Sequence, residues 1–220
     1  PVLGRYPLRR LRLPIGATVL PWIVPDAGSV RRQGTWADAV VRGAEPPYWL
    51  RPWPAAIALA RHLVRARSLA GVRVLDLGCG LGVPGGVAAR LGAEVCFADR
   101  EPDALAFAVA NANSHAVATT TITSCRLDWA RQLVPSAFDV VVLADVSYHP
   151  SHHAPLLRQL DAVLADGGCV LHADPRRAAA SRFLDQLTPR LLGCSQSNRI
   201  GLAGAPAVDV RVTLFAREPA

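Results

Sequence analysis

Four aspartates of this chain stand at or just after the ends of short apolar runs. They are Asp76, Asp99, Asp128 and Asp145. Ligands of open α/β sheets bind outside the carboxyl ends of the strands, and carboxylates there accept hydrogen bonds from hydroxyl and amino groups. Turn preferences alone rarely place four acids at four successive strand ends. The spacing therefore predicts a ligand site lined by acids.

A glycine-rich loop follows the first of these runs. Gly78, Gly80 and Gly82 occupy alternate positions between a strand-like segment and a helix-like one. Such a loop lets the backbone approach a ligand closely and directs helix N–H groups at an anion. A dinucleotide fingerprint would need its third glycine at position 83, where this chain has Val83. A tight strand-to-helix turn without a ligand is the alternative interpretation.

Asp99 follows the second apolar run, 21 residues after Gly78. An acid at this place can accept hydrogen bonds from both hydroxyls of a ribose. The structural alternative is an N-cap for the helix that follows, and the two roles can coexist.

Strands and helices must alternate along the chain to position these residues. Apolar runs predict strands, and apolar residues at helical spacing predict helices. The predicted strands are 72–77, 94–98, 119–124, 138–144, 169–173, 193–200 and 208–216; the predicted helices are 54–67, 83–91, 102–113, 152–164 and 176–187. We expect the fourth helix to end at Gly167 and Gly168. The pattern predicts an α/β fold, Rossmann-like and doubly wound, with a seven-stranded, mainly parallel sheet and an antiparallel edge strand.

The first 50 residues differ from the rest, because they are rich in proline and arginine and contain only short alternating stretches. We interpret residues 1–50 as an extended or hairpin-like N-terminal extension that covers the site. Residues 51–220 then form the ligand-binding domain.

The charge and hydropathy of the chain narrow the class of partner. Its 24 basic residues, all arginine, exceed its 17 acidic residues and give a net charge of +7. The arginines are scattered, with one denser group at Arg5, Arg9, Arg10 and Arg12, so a solvated basic extension is favoured over a nucleic-acid site. No run approaches the roughly 18 apolar residues of a membrane helix, and no signal-peptide pattern is visible. We therefore expect no membrane contact and a cytoplasmic protein.

The cysteines and histidines do not indicate a metal site. Five cysteines, an odd number without a Cys-x-x-Cys pair, predict buried thiols in a reducing compartment. His152 and His153 are adjacent on a predicted helix and would diverge by about 100°, so both cannot easily face one ion. We expect no bound metal.

Five segments, in this order, resemble the motifs of a known family. They are Pro47-Tyr48-Trp49-Leu50-Arg51-Pro52-Trp53-Pro54, the glycine loop, Leu127-Asp128-Trp129, Asp145-Val146-Ser147-Tyr148 and Asp174-Pro175-Arg176-Arg177. The glycine loop resembles the first motif of class I (seven-β-strand) S-adenosylmethionine-dependent methyltransferases. Together the segments resemble family 16, the branch with the electron-transfer-flavoprotein β-subunit lysine methyltransferase, often labelled nicotinamide N-methyltransferase-like. The likeness spans about residues 46–187.

The resemblance implies S-adenosyl-L-methionine as cofactor, S-adenosyl-L-homocysteine as product, and a class I methyltransferase domain over residues 51–220. It also implies the residues of the cofactor site, with Asp128 at the adenine amino group and Trp129 near the ring. That site comprises Trp53, Asp76, Gly78, Cys79, Gly80, Gly82, Asp99, Arg100, Asp128, Trp129 and Asp145. Asp145 and Tyr148 form the implied catalytic signature, and we expect His149 at the rim of the acceptor pocket.

The implied function is methyl transfer to a side-chain nitrogen of a protein, with lysine as the leading acceptor. Asp145 would orient the amine and receive or relay its proton, and Tyr148 would hydrogen-bond the amine or wall the pocket. Aromatic faces such as those of Trp53 and Tyr148 could stabilise the sulfonium and a cationic acceptor. The partner would be a protein substrate, for which an acidic character is one option.

Two alternatives stay open, namely N-methylation of a small nitrogenous metabolite or natural product, and a non-catalytic cofactor-binding scaffold. Arg176 stands where the family usually has glycine, and Ser147 stands where an aromatic residue is frequent. Both departures lie on the acceptor side.

Overall fold

The structure is a computed structural model that describes residues 2–32, 41, 45–66, 68–133, 136–188, 191–202 and 206–217. The strands are β1 (Leu8–Ile15), β2 (Thr18–Pro25), β3 (Arg73–Leu77), β4 (Glu94–Asp99), β5 (Ile122–Arg126), β6 (Phe138–Ala144), β7 (Leu164–Asp174), β8 (Leu192–Ile200) and β9 (Val208–Ala216). The helices are α1 (Ala27–Arg32), α2 (Pro54–Leu63), α3 (Val83–Arg90), α4 (Pro102–Asn113), α5 (His153–Val163) and α6 (Ala178–Leu187).

One seven-stranded sheet, in the order β5-β4-β3-β6-β7-β9-β8, forms the centre of the fold. Strands β3 to β7 are parallel where they pair, whereas β9 is antiparallel to both β7 and β8. The predicted seven-stranded, mainly parallel sheet with antiparallel pairing at one edge is confirmed. The antiparallel strand is β9, which lies second from that edge, with β8 outside it.

Helices cover the sheet on both faces, so the predicted doubly wound arrangement is confirmed. Helices α2, α3 and α4 form one core with the β1–β2 hairpin, around residues such as Leu59, Val87 and Phe107. Helices α5 and α6 form the second core, around Leu156 and Phe183. Burial on both faces explains why the central strands are continuous apolar runs in the sequence.

The two glycines at 167 and 168 do not end a helix, so that prediction was wrong. Helix α5 already ends at Val163, and β7 begins at the next residue. Leu164 pairs with Phe138 and Cys169 with Val140, so the glycines lie in an irregularity of the strand. Gly167 has a φ of +70°, a conformation that suits a helix end and a bulge equally. Only the pairing with β6 decides between the two.

The N-terminal residues include a hairpin that packs on the helical layer. Trp22 of β2 is fully buried, and its Nε1–H donates to the carbonyl oxygen of Leu81 at 2.9 Å. The backbone N–H of Ile23 donates to the side chain of Asn111 in α4 at 2.8 Å. The hairpin thus fixes the loop before α3 and the face of α4. The division of the chain at residue 50 stays a prediction.

None of the helices in the described ranges combines the length and the apolar character that a membrane span requires.

Candidate active site

A cavity of about 430 Å³ lies at the carboxyl ends of β3, β4 and β6. The chain runs outward from β3 through β4 and β5, then crosses to β6 on the other side, and ligands of such sheets bind where the order reverses. The volume lies in the range of small-molecule sites, about 300–1,000 Å³. Eight predicted site residues line the cavity: Trp53, Gly78, Gly80, Asp99, Arg100, Trp129, Asp145 and Tyr148.

The cavity is acidic although the chain as a whole is basic. Its lining includes the carboxylates of Glu45, Asp99, Glu101 and Asp145, together with the guanidinium groups of Arg100 and Arg177. Such a lining suits a ligand that carries positive charge.

The three glycines of the loop differ in what a side chain at their position would meet. Gly78 and Gly80 line the cavity with φ values of +71° and +51°. A Cβ on Gly80 would find no atom closer than 3.8 Å, so the space beside it is open. A Cβ on Gly82 would lie 2.6 Å from the Cβ of Ala108, so this glycine is required by helix packing. Gly82 is not part of the cavity lining.

Asp99 holds the loop and faces the cavity at the same time. Its Oδ2 accepts the backbone N–H of Gly80 at 2.9 Å, and its Oδ1 accepts that of Glu101 at 3.0 Å. Burial raises the pKa of this carboxyl above its ordinary value, and the two hydrogen bonds oppose the rise. The residue is only 8 % exposed. Glu101 occupies the N-cap position of α4 without a capping hydrogen bond from its side chain, so Asp99 is not the N-cap that we considered as an alternative.

Replacing Asp99 by alanine is expected to weaken the binding of S-adenosyl-L-homocysteine by about 1.5–3 kcal/mol, the range for losing charged hydrogen bonds. Calorimetry measures the affinity. Glu101→Ala is the control, because Glu101 lines the same cavity without accepting the N–H of Gly80. Equal affinities for Asp99→Ala and the unaltered protein would remove Asp99 from the ligand site.

Four predicted cofactor residues do not line the cavity: Asp76, Cys79, Gly82 and Asp128. Asp76 is 1 % exposed; its Oδ2 accepts the N–H of Gly85 at 2.9 Å, and burial raises its pKa to about 8. Its Oδ1 has no hydrogen-bond partner among the described residues. Cys79 packs into the core, and the carboxylate of Asp128 caps a turn at Ala130.

Asp145 follows β6 in a left-handed backbone conformation, with a φ of +54°. Its backbone N–H donates to the carbonyl of Ala173 at 2.8 Å, which fixes the turn at the strand end. Its carboxylate is 8 % exposed and accepts two hydrogen bonds from Arg177, at 3.0 and 3.1 Å. Burial raises the pKa of Asp145, and Arg177 opposes this rise. The sequence interpretation did not place Arg177 in the site, although the residue ends the fifth family-like segment.

Arg176, beside this arginine, has a φ of +59°. Glycine adopts that conformation without steric cost, which explains why the family usually has glycine here. The guanidinium of Arg176 donates to the hydroxyl of Ser197.

Tyr148 reaches a carboxylate that the sequence did not indicate. Its hydroxyl lies 3.1 Å from both carboxylate oxygens of Glu45. The same carboxylate pairs with Arg100 at 2.5 Å and lies 3.8 Å from Nε2 of His152. Burial and the Glu45 carboxylate raise the pKa of Tyr148 above its ordinary value, so the phenol remains neutral. Glu45 precedes the first family-like segment, and no feature of the sequence marked it.

Aromatic rings form the wall between Glu45 and α2. The ring of Tyr48 contacts those of Trp53 and Tyr148, with both centroid distances at 5.9 Å. The indole N–H of Trp53 donates to the carbonyl of Tyr48 at 2.8 Å, and the guanidinium of Arg51 stacks 4.1 Å from the Trp53 ring centroid. Trp129 lies opposite, against Gly78 and His152.

The histidines after Tyr148 point in different directions, as their spacing predicts. His152 lines the cavity, whereas His153 is buried against Phe183. His149 bonds to Ser151 at the start of the helical turn and is not part of the lining, so the rim residue is His152. Within the described residues, no group of three or more His, Cys, Asp or Glu side chains is placed to hold a metal ion.

A buried polar pair supports the loop that carries Asp145 and Tyr148. The hydroxyl of Ser147 lies 2.8 Å from Nε2 of His172, and both residues are fully buried. Asp174 lies 3.7 Å from Nδ1 of the same ring. Burial lowers the pKa of His172 from 6.5 to about 4, so the imidazole is neutral. The serine at a position where an aromatic residue is frequent thus has a specific partner on β7.

The free energy of unfolding is expected to fall by roughly 3 kcal/mol as the pH drops from 6.5 towards 4. The sign follows because unfolded His172 binds its proton at a higher pH than folded His172. Denaturant unfolding at several pH values measures the effect, and His172→Gln should lose this part of the pH dependence. Ser147→Ala, which keeps the buried imidazole, should retain it. The same pH slope in His172→Gln and the unaltered protein would contradict the prediction.

Comparison with known proteins identifies the family of this chain. A family model described as lysine methyltransferase matches residues 50–190, more than half of the chain. The chain belongs to the lysine methyltransferase family. The matched region contains β3 to β7 and every cavity residue named above except Glu45 and Tyr48.

Two relatives of this family member are lysine methyltransferases by name. The protein N-lysine methyltransferase METTL21A of Danio rerio is 33 % identical over 145 residues, which cover 63 % of this chain and 66 % of the relative. The electron transfer flavoprotein beta subunit lysine methyltransferase of Danio rerio is 33 % identical over 134 residues, which cover 60 % and 51 %. The chain therefore spans less than two thirds of the length of these relatives.

Solved structures with little sequence identity share the fold. The N-methyltransferase NodS of Bradyrhizobium japonicum, in complex with S-adenosyl-L-homocysteine, matches with a TM-score of 0.60 at 19 % identity and covers 83 % of this chain and 98 % of its own. The 16S rRNA methyltransferase RsmC of T. thermophilus matches with a TM-score of 0.63 at 17 % identity, over 96 % and 50 %. Membership of this family indicates S-adenosyl-L-methionine as the cofactor.

Proposed function

We propose that this protein transfers a methyl group from S-adenosyl-L-methionine to a lysine side chain of a protein substrate. One observation carries the proposal. The carboxylates of Glu45 and Asp145 line the same cavity as the rings of Tyr48, Trp53 and Tyr148, and Glu45 contacts Tyr148 directly. Carboxylates and aromatic faces both attract a cation, and a lysine side chain arrives as an ammonium ion. The names of the relatives support the same acceptor.

The cavity residues fit the cofactor on its other side. The space beside Gly80 is open, so a ligand can lie against the backbone there, and Asp99 lines the same cavity. We assign the Asp99 carboxylate to accept hydrogen bonds from the ribose hydroxyls. We assign Trp129 to the adenine side and Arg100 to the neighbouring rim. When bound, S-adenosyl-L-methionine supplies an electrophilic methyl group on a sulfonium. Asp76, Cys79, Gly82 and Asp128 would support this site from outside the cavity.

The acceptor must lose a proton before it can attack. A lysine ammonium has a reference pKa of about 10.4, so it is protonated at neutral pH. We assign Asp145 to receive that proton, because burial raises its pKa and its carboxylate lines the cavity. Arg177 holds the Asp145 carboxylate in place, and the arriving ammonium then forms an ion pair with the same carboxylate. Positioning accounts for the rest of the rate, since methyl transfer is a direct displacement.

The charge distribution and the cysteines bear on the partner and its compartment. The chain carries a net charge of +7 although its cavity is acidic, so the positive charge lies outside the site and favours an acidic protein substrate. The five cysteines are free thiols, which supports a reducing compartment such as the cytoplasm.

Incubation of host lysate with methyl-labelled cofactor tests the proposed function. We expect the label in protein, and we expect peptide mass spectrometry to place it on lysine. Asp145→Asn serves as the inactive control. Label in small molecules alone would favour the metabolite alternative, and label in neither fraction would favour the non-catalytic scaffold.

A further inference from the structure

Glu45 connects three parts of the cavity wall. Its carboxylate accepts a hydrogen bond from the hydroxyl of Tyr148, which lies 3.1 Å from both carboxylate oxygens. The same carboxylate pairs with Arg100 at 2.5 Å. Arg100 follows β4, whereas Tyr148 lies after β6, so one side chain bridges the cofactor side and the acceptor side. Glu45 itself precedes Pro46 and Pro47, which also line the cavity.

The hydrogen bond to Glu45 decides what Tyr148 can offer a substrate. A phenol has one proton to donate and an oxygen that accepts. A carboxylate only accepts, so the proton in this pair belongs to Tyr148 and is directed at Glu45. The phenolic oxygen can therefore meet a ligand in the cavity only as an acceptor of hydrogen bonds.

This restriction suits a neutral amine that is about to be methylated. The nitrogen of such an amine has N–H groups to donate and one lone pair with which to attack. An N–H directed at the Tyr148 oxygen leaves the lone pair free. If Tyr148 instead donated its proton to the nitrogen, the hydrogen bond would occupy that lone pair and oppose transfer.

We propose that Glu45 is a positioning residue for methyl transfer, which holds the Tyr148 proton so that the phenolic oxygen orients an acceptor N–H. The proposal rests on the proposed function, because it needs a nitrogen acceptor in the cavity. It makes the segment before α2 part of the acceptor site. It also gives Glu45 an effect that passes through Tyr148 and not through the cofactor.

A double-mutant cycle tests this route. Glu45→Gln is expected to lower kcat about tenfold, the effect of losing one well-placed hydrogen bond, with little change in the affinity for S-adenosyl-L-homocysteine. In a Tyr148→Phe background the same change should lower kcat less than about twofold, because residues that act as a unit are not additive. Additive losses, or a loss confined to cofactor affinity, would overturn the proposal.

Glu101→Gln is the matched control. Glu101 lines the same cavity and also lies near Arg100, at 3.5 Å, so it shares the ion pair with Arg100. Whatever change in turnover Glu101→Gln causes should be the same in the unaltered and the Tyr148→Phe backgrounds, since residues outside the coupled pair add independently. Equal coupling of Glu101→Gln and Glu45→Gln to Tyr148→Phe would assign the effect to Arg100 and reject the role at Tyr148.

A spectroscopic readout separates this proposal from the proposed function. The chain has three tyrosines, so isotope-labelled tyrosine gives few resonances, and the one lost in Tyr148→Phe belongs to Tyr148. Glu45→Gln should shift that resonance, and Glu101→Gln should not. An unmoved Tyr148 resonance overturns the proposal whatever the acceptor is. If the labelled lysate shows methylation of a nitrogen other than that of lysine, the proposed function fails. The double-mutant cycle can then still be measured with that acceptor, so the two failures are distinguishable.

Discussion

Asp145→Asn is expected to lower turnover by about 10²-fold or more, the usual scale for losing a general base. Asparagine keeps the shape of the side chain but removes the charge that attracts an ammonium and the group that takes its proton. The backbone should tolerate the change, because asparagine is among the few residues that adopt a positive φ such as the +54° seen here. Affinity for S-adenosyl-L-homocysteine should change little, since the carboxylate lies on the acceptor side.

The alternative interpretation is that Asp145 only stabilises the loop after β6. That interpretation predicts that Asp145→Asn has a lower melting temperature but normal turnover per folded molecule. Asp139→Asn is the matched control in β6, the strand that Asp145 follows, because Asp139 pairs with Arg73 at 3.1 Å and does not line the cavity. Full activity of Asp145→Asn with reduced stability would defeat the catalytic assignment.

Gly80→Val is expected to abolish binding of S-adenosyl-L-homocysteine while the circular-dichroism spectrum is preserved. The new side chain would enter the open space beside Gly80, where the nearest protein atom to a Cβ lies 3.8 Å away. We therefore expect it to occupy the space that the ligand needs. The change also forces a β-branched residue into a φ of +51°, which costs about 1–2 kcal/mol of stability.

Gly71→Val is the control that separates the effect of backbone strain from the loss of the ligand site. Gly71 has a φ of +78°, and a Cβ there would meet no atom within 4 Å. Both variants thus carry backbone strain in open space, but only Gly80 lines the cavity. Gly71→Val should bind as the unaltered protein does. Tight binding by Gly80→Val, measured by calorimetry, would remove the glycine loop from the cofactor site.

The sequence alone determined the sheet and brought the glycine loop and Asp99 to one edge of it. Apolar periodicity is a local signal, so it predicted the strand and helix alternation without knowledge of the packing. The carboxyl ends of parallel strands meet at one edge, so acids and glycines at those ends could be placed together in advance. Asp99 and Gly80 lie where that reasoning put them.

Tertiary structure alone decided which of these residues reach the cavity and which side chains complete it. Gly80 and Gly82 are equivalent in the sequence, but Gly82 packs on α4 because the Cβ of Ala108 leaves no room for another. Arg177 and Glu45 lie 32 and 103 residues from their partners Asp145 and Tyr148. Contacts at such separations depend on how distant segments pack, and local patterns of residue types do not indicate which distant segments come together.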